Sequence, residues 1–301
     1  MAATSTEYLL RLDGKEVTIT NPDKPLWPQA GITKLLYIKY LLDVSPYLLP
    51  YMKNRLLTVI RYPHGVDDKS FYQKNIPEYA PSWIATSVWE NTRYVLVNDV
   101  PTLVWMANQA ALEWHISFHE AHNEIPTELV FDLDPSTPSF DHVIEVAFHL
   151  KEVLDDLQLP SYPKTSGASG VQVYIPIERR YSFEQTRQVG QFVATFLSNK
   201  YPTLVTIERL VKNRGTKLYV DFLQHWRGKT LPAPYSTRAR PEATVSTPVT
   251  WEELPSIHPA QFTINTVPAR LKEKGDLFAP LLQREQDVSL DPILHFLRAR
   301  R

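Results

Sequence analysis

The chain has 301 residues, 43% hydrophobic and 22% charged, with a net charge of −1. That length can bury a large core as one domain or as two intimately packed parts, and the near-neutral balance singles out no partner. The absence of cysteine excludes disulfides, thiolate metal sites and a cysteine nucleophile, and suits a cytoplasmic location. Met1–Val17 lacks a signal-peptide pattern, and no stretch approaches the roughly 20 apolar residues of a membrane span.

In chain order, Tyr8–Thr20 alternates around Asp13-Gly14 and predicts a hairpin. A rigid loop follows, Asn21-Pro22-Asp23-Lys24-Pro25-Leu26-Trp27-Pro28. Thr33 is a good N-cap, and a helix is expected from there to about Val44, before Pro46, with Leu35, Ile38 and Leu42 inward. Lys34 falls in its first turn, where the helix dipole disfavours a cation. An anion docked on free backbone amides would explain it, with Lys24 closing from the loop. Leu56–Tyr62 reads as a buried strand ending in a turn at His64-Gly65. Phe71-Tyr72-Gln73-Lys74-Asn75 then sets two aromatics beside a lysine, the residue types that base stacking and phosphate contact require. After a strand at Tyr94–Val97, a helix is expected from Pro101, carrying Leu103, Ala107, Ala110, Ala111 and Trp114 inward and ending at His115.

Val130-Phe131-Asp132-Leu133-Asp134-Pro135 reads as a strand with Leu129, Phe131 and Leu133 on one face and both aspartates on the other. Carboxylates this close repel unless a cation sits between them. Val143 to Leu157 marks an amphipathic helix. The small-residue loop Lys164-Thr165-Ser166-Gly167-Ala168-Ser169-Gly170 then leads into the strand Val171–Pro176, which turns Gln172 to its polar face. Such a loop lets amides, hydroxyls and Lys164 approach phosphate oxygens, although it is not a P-loop. Ser182 and Gln185 form a capping box. The basic loop Arg209–Gly215, with Lys212 and Arg214, feeds a strand at Lys217–Leu223 that presents Asp221 as a third carboxylate. Arg227 to Arg240 is basic and proline-stiffened. Helices are expected at Pro268–Lys274 and Pro292–Arg300.

Charge is unevenly spread. Glu120–Pro160 holds ten acids against Lys151, whereas Lys200–Arg240 holds nine Lys or Arg against Glu208 and Asp221. An acidic centre beside a basic stretch suits a polyanionic substrate shared between cations and side chains. Three strand carboxylates, a Ser-Gly loop and flanking cations suggest metal-assisted phosphoryl or nucleotidyl transfer: Asp132 and Asp134 bridging two metals, Asp221 on one of them, and Ser166, His115 and Arg238 receiving a triphosphate.

The order of the motifs resembles the polymerase domain of bacterial ligase D, of the archaeo-eukaryotic primase superfamily, which acts in non-homologous end joining. The resemblance is carried by Phe131-Asp132-Leu133-Asp134-Pro135, Thr165-Ser166-Gly167-x-x-Gly170, Val220-Asp221-Phe222-Leu223-Gln224 and Ala233-Pro234-Tyr235-Ser236-x-Arg238. Earlier motifs extend it: Asp23-Lys24-x-Leu26-x-Pro28, Phe71-x-x-Lys74-Asn75 and Leu112-Glu113-x-His115. The expected fold is α+β, with mixed or antiparallel sheets forming a catalytic cleft and helices outside. One primase-polymerase domain is expected over 1–301, with a DNA-end-binding part to about 100, a catalytic part over about 101–254 and a helical tail beyond.

The resemblance implies template-dependent addition of nucleotides, ribonucleotides preferred, to a DNA 3′-hydroxyl at gaps or breaks with Mn²⁺ or Mg²⁺. It assigns metal binding to Asp132, Asp134 and Asp221, and nucleotide binding to His115, Lys164, Ser166, Gly167, Gln172 and Arg238. Lys24 and Lys34 take the 5′-phosphate, Phe71 and Tyr72 stack, and Arg214 presents primer or nucleotide. NTPs or dNTPs, broken DNA, Ku and a DNA ligase are the implied partners, in a cytoplasmic, nucleoid-associated setting. Two positions depart from the superfamily: Gln172 where histidine is usual, which cannot carry positive charge, and His225 where asparagine is common. A primase starting chains without a primer, and a DNA-end-binding module with decayed catalysis, are the alternatives. A D-x-D glycosyltransferase would leave the basic loops without purpose.

Overall fold

The hairpin at Asp13-Gly14 forms in the computed structural model, which describes residues 7–300. Glu7–Leu12 and Lys15–Thr20 pair antiparallel across two residues at positive φ, the turn whose twist matches that of its strands. The chain builds two compact units from interleaved segments. One takes the residues up to Ser117 with Thr230–Ser246 and Ala260–Gly275; the other takes Phe118–Lys229, Thr247–Pro259 and the residues from Asp276 on. The chain crosses from the first to the second within the strand Ala111–Glu120.

Within the first unit, the part of this strand up to Ser117 pairs with Thr230–Pro232, the strand lies beside Arg55–Arg61 in the sheet order, and Phe71–Gln73 forms an edge. Two helix expectations fail here. The first helix does not stop before Pro46 but runs Lys34–Met52 with Pro46 and Pro50 inside. Proline removes the amide that would bond the carbonyl four residues back, yet Ser45 Oγ donates to that carbonyl, Leu42 O, at 2.9 Å. Its inward face carries Lys34, Tyr37, Ile38 and Leu41, while Leu35 is exposed. The second helix spans only Val100–Asn108, capped by Asp99, whose carboxylate accepts from Thr102 N at 2.9 Å. Ala110 at φ 56° breaks it, and Ala111 onward is a strand. His115 therefore stands mid-strand rather than at a helix end, because Leu112, Trp114, Ile116 and Phe118 alternate with period two and all are buried.

The second unit is organised on a five-stranded sheet in the order Tyr162–Thr165, Val171–Pro176, Glu128–Asp134, Leu218–Asp221, Val205–Thr206. The acidic strand is central and antiparallel to both neighbours. Leu129, Phe131 and Leu133 are fully buried, each contributing roughly 2 kcal/mol of apolar burial. A one-residue slip would exchange them for the aspartates, so the register is strongly held. The helices Phe140–Asp156 and Phe183–Lys200 both contact this strand, the second through Gly190, which lies against Leu129 and Phe222. The Ser182–Gln185 capping box forms. Of the C-terminal helices, Val267–Lys274 belongs to the first unit and Asp291–Ala299 to the second.

Candidate active site

In the second unit, one row of cross-strand neighbours crosses the polar face of the sheet. Lys164 is paired with Gln172, Gln172 with Asp132, and Asp132 with Asp221. Asp134 lies two residues along on the same face, opposite Tyr219. Residues directly opposite on one face have Cβ atoms about 5 Å apart, so the three aspartates occupy neighbouring positions on that face. Burial first, and then the charge of Asp134, pushes the Asp132 carboxyl well above the usual carboxylate range; the Gln172 amide opposes the shift. Asp134 is also raised, by burial and by Asp221, against the pull of Arg214.

Asp132 Oδ1 accepts from Gln172 Nε2 at 3.1 Å. Asp221 Oδ1 accepts at 2.9 Å from Tyr219 Oη and from the amides of Leu223 and Gln224. This turn ends the strand at Asp221, short of the expected Leu223. Each of these two aspartates thus commits one oxygen, Oδ1, to hydrogen bonds within the fold. Hard carboxylate oxygens whose charges repel are suitable donors for a divalent cation. Among the described residues, however, no group of three or more His, Cys, Asp or Glu side chains forms a metal cage by itself, so exogenous oxygens would have to complete the coordination.

The structure moves Lys164 out of the loop expected to hold phosphates, while Gln172 lies in the expected strand Val171–Pro176. Lys164 lies in the strand Tyr162–Thr165, with 0% exposure, and its ammonium donates to Gln172 Oε1 at 2.5 Å. In the loop itself, Ser166 Oγ accepts from Ala168 N at 3.2 Å and from Gly170 N at 3.1 Å, and Gly167 sits at φ 72°. A Cβ at Gly170 would collide with the Leu133 carbonyl, so glycine is required to seat this loop against the acidic strand. Arg214 closes back on its own loop, donating to the Glu208 and Arg209 carbonyls at 3.0 and 2.8 Å. Its guanidinium stacks 3.9 Å from the Tyr219 ring, so Arg214 is tied through Tyr219 to Asp221.

His225 is buried against Phe118 and Phe183, with Nε2 3.1 Å from Thr186 Oγ1. Burial, with the nearby Arg187 charge, lowers it to about 3, so it is a neutral core residue.

In the first unit, His115 and Arg238 meet on one buried carboxylate. Glu113 Oε2 lies 3.1 Å from His115 Nε2 and 3.0 Å from Arg238 Nε, and its Oε1 accepts from Ala239 N at 3.0 Å. Burial alone would raise Glu113, but the His115 hydrogen bond and the Arg238 charge outweigh it and hold the carboxyl below its usual range. In the sequence Glu113 stands out only as part of Leu112-Glu113-x-His115. A glutamate two residues before a histidine on a strand was the available signal, and the mistaken helix hid it.

Lys24 and Lys34 are close enough that the Lys24 charge joins burial in lowering Lys34 to about 8. The expected free amides are absent: Lys34 N and Leu35 N donate to the carbonyls of Lys24 and Pro22 at 2.8 and 2.9 Å, and Leu36 N donates to Thr33 Oγ1. Lys34 is only 4% exposed, its ammonium donating to Thr20 O at 2.6 Å and Asn108 Oδ1 at 3.3 Å. Phe71 and Tyr72 are 45% and 72% exposed on their edge strand, and the Arg61 guanidinium lies 5.2 Å from the Phe71 ring.

Residues 33–278 match the family described as LigD, primase-polymerase domain. The chain is 43% identical over 286 residues to the bifunctional non-homologous end joining protein LigD of Bacillus subtilis, covering 94% of this chain and 47% of that protein. It is 34% identical to the multifunctional LigD of Mycolicibacterium smegmatis, covering 89% and 36%. The chain therefore spans about half or less of the length of these relatives. The polymerase domain of Mycobacterium tuberculosis ligase D, solved in complex with DNA, superposes with a TM-score of 0.84 at 34% identity, over 88% of this chain and 98% of that one.

Proposed function

The chain belongs to the LigD primase-polymerase family, a family of nucleotidyltransferases of non-homologous end joining, and we propose that it adds nucleotides to a DNA 3′-hydroxyl on a template at gaps or double-strand breaks. The observation that carries this reading is the direct pairing of Asp132 with Asp221, with Asp134 beside them on the same face.

Asp132, Asp134 and Asp221 would hold Mn²⁺ or Mg²⁺, in a two-ion site completed by nucleotide phosphates and water, as cations held by few carboxylates usually are. Bound there, such ions acidify the attacking hydroxyl and offset charge on the phosphates. His115 and Arg238 bind the triphosphate, with Glu113 orienting both, and Ser166 and Gly167 shape the loop beside the acids. Gln172 and Lys164, first assigned to the nucleotide, act from within the sheet. Lys24, with Lys34 behind it, attracts a 5′-phosphate. The exposed rings of Phe71 and Tyr72 offer stacking platforms, and Arg214 supports the acidic site from its loop. Ribonucleotides are the preferred substrates over deoxyribonucleotides. Ku and a DNA ligase are the proposed partners, on broken DNA in the bacterial cytoplasm at the nucleoid. Among the described residues no helix is long and apolar enough to cross a membrane.

The test is extension of a primer across a short gap bearing a 5′-phosphate, with each NTP and dNTP, in Mg²⁺ and then Mn²⁺. Wild-type protein extends and Asp132→Ala does not. Equal extension by Asp132→Ala overturns the site, and product on unprimed single strands would favour the primase alternative.

A further inference from the structure

Lys164 and Gln172 join no ligand-facing loop, yet they occupy the same row as the acids. Lys164 has 0% exposure, in the edge strand at the end of the row, and a buried ammonium without a hydrogen-bond acceptor is strongly disfavoured. It has only donors, so it dictates which end of the Gln172 amide faces it. Oε1 accepts from Lys164 Nζ at 2.5 Å, and the amide nitrogen, thereby turned the other way, donates to Asp132 Oδ1 at 3.1 Å. Hydrogen bonds in such a chain polarise one another, so a glutamine leaning on a cation is a stronger donor than a free amide.

The strand that carries Lys164 is also tied down outside the row. Thr165 N donates to Thr247 O at 2.9 Å and Thr247 N to Thr165 Oγ1 at 3.1 Å, and Lys164 shares a backbone bridge with Pro248. The Lys164 ammonium also lies 5.8 Å from the Tyr174 ring. The base of the relay is thus a rigid sheet edge rather than a mobile loop. On the other side of Asp132 stands Asp221, held by its own three donors.

We propose that Lys164 and Gln172 form a positioning relay that fixes the Asp132 carboxylate through Oδ1, leaving Oδ2 directed to the ligand. Gln172 is therefore a positioning residue and does not contact the triphosphate. The relay rests on the metal reading above, and it deepens that reading: a partner that orients a ligating carboxylate is typically worth 10–100-fold in metal affinity.

The experiment is a titration of Mn²⁺ followed by the electron paramagnetic resonance signal of the free ion, on wild type, Asp132→Ala, Gln172→Met and Gln172→His. The component lost in Asp132→Ala defines the site. Gln172→Met is close in volume but removes the donor, and Gln172→His keeps one. The relay predicts that Gln172→Met weakens that component at least fivefold, while Gln172→His stays closer to wild type than to Gln172→Met. A change under fivefold in Gln172→Met overturns the relay, even if the nucleotide KM rises, since that pattern marks a triphosphate contact. A loss in Gln172→His as large as in Gln172→Met overturns it as well. If thermal unfolding shows Gln172→Met to be misfolded, Gln172→Glu replaces it, because it keeps the acceptor for Lys164 and deletes the donor to Asp132. Wild type without a component sensitive to Asp132→Ala overturns the metal reading itself, and the relay with it.

Discussion

At the residue scale, the acids are held against their own preference. The Asp132 and Asp134 carboxyls are both raised in the folded state, by burial and by the charge of a neighbouring aspartate, Asp134 for the first and Asp221 for the second. The folded chain thus binds more protons than the unfolded one, and this contribution to stability falls as pH rises above the ordinary carboxylate range. Asp132→Asn removes one charge and keeps the acceptor for Gln172. Without metal it is expected to raise the melting temperature by about 1–3 °C, the size of roughly 1 kcal/mol in a chain this long, and to abolish the rise that Mn²⁺ gives wild type. A lower melting temperature in metal-free buffer would count against stored repulsion. Glu113 is the other residue that organises charge, gathering His115 and Arg238 on one oxygen. Glu113→Gln weakens two charge-assisted bonds worth on the order of 1.5–3 kcal/mol each, so steady-state kinetics should show nucleotide KM rising about tenfold with a smaller change in kcat.

At the scale of elements, the loop before Val171–Pro176 is bound to the acidic strand by one missing methyl group. Gly170→Ala forces a Cβ onto the Leu133 carbonyl, between the two aspartates. Denaturant unfolding should report a loss of about 1–3 kcal/mol, and extension should fall with it. The packing of the helix Phe183–Lys200 carries a pH signature of its own. His225 is near its ordinary value of about 6.5 when unfolded but is lowered to about 3 when folded. Its contribution is therefore complete above pH 6.5 and is lost as pH falls from there towards 3, by up to roughly 1.4 kcal/mol per pH unit. Unfolding curves at pH 6.5 and 4.5 should show a smaller acid loss in His225→Asn than in wild type; equal losses would place the titration elsewhere.

At the scale of the molecule, each compact unit carries its own set of the residues proposed to act on a polyanion: the acids and Arg214 in one, and Glu113, His115, Arg238, Lys24 and Lys34 in the other. Lys34 is committed to Thr20 and Asn108, so Lys34→Ala should cost stability as well as binding. Lys24→Ala is the cleaner probe. Fluorescence anisotropy should show it weakening 5′-phosphorylated gapped DNA about tenfold, as expected for a lost charged contact, while leaving the 5′-hydroxyl form unchanged. Equal weakening on both ends would remove the phosphate assignment.

Period-two alternation was enough to place Asp132 and Asp134 opposite Leu129, Phe131 and Leu133, because burial of one face leaves no second register. The capping box at Ser182, the first hairpin and the family itself were equally legible, since they depend on neighbours in the chain or on motifs in order. Local signals misled where a distant or compensating contact won: Ser45 bonding Leu42 carried the first helix through Pro46, and Ala110 at positive φ turned a helical pattern into the strand of Glu113 and His115. The pairing of Asp132 with Asp221 needed the sheet. So did the partners of Lys164 and Gln172, four positions on four strands whose adjacency depends on strand order and register. A glutamine that looked in sequence like a weakened phosphate contact lies between a buried ammonium and an acid because hydrogen bonding in a dry sheet must be satisfied in space, not along the chain.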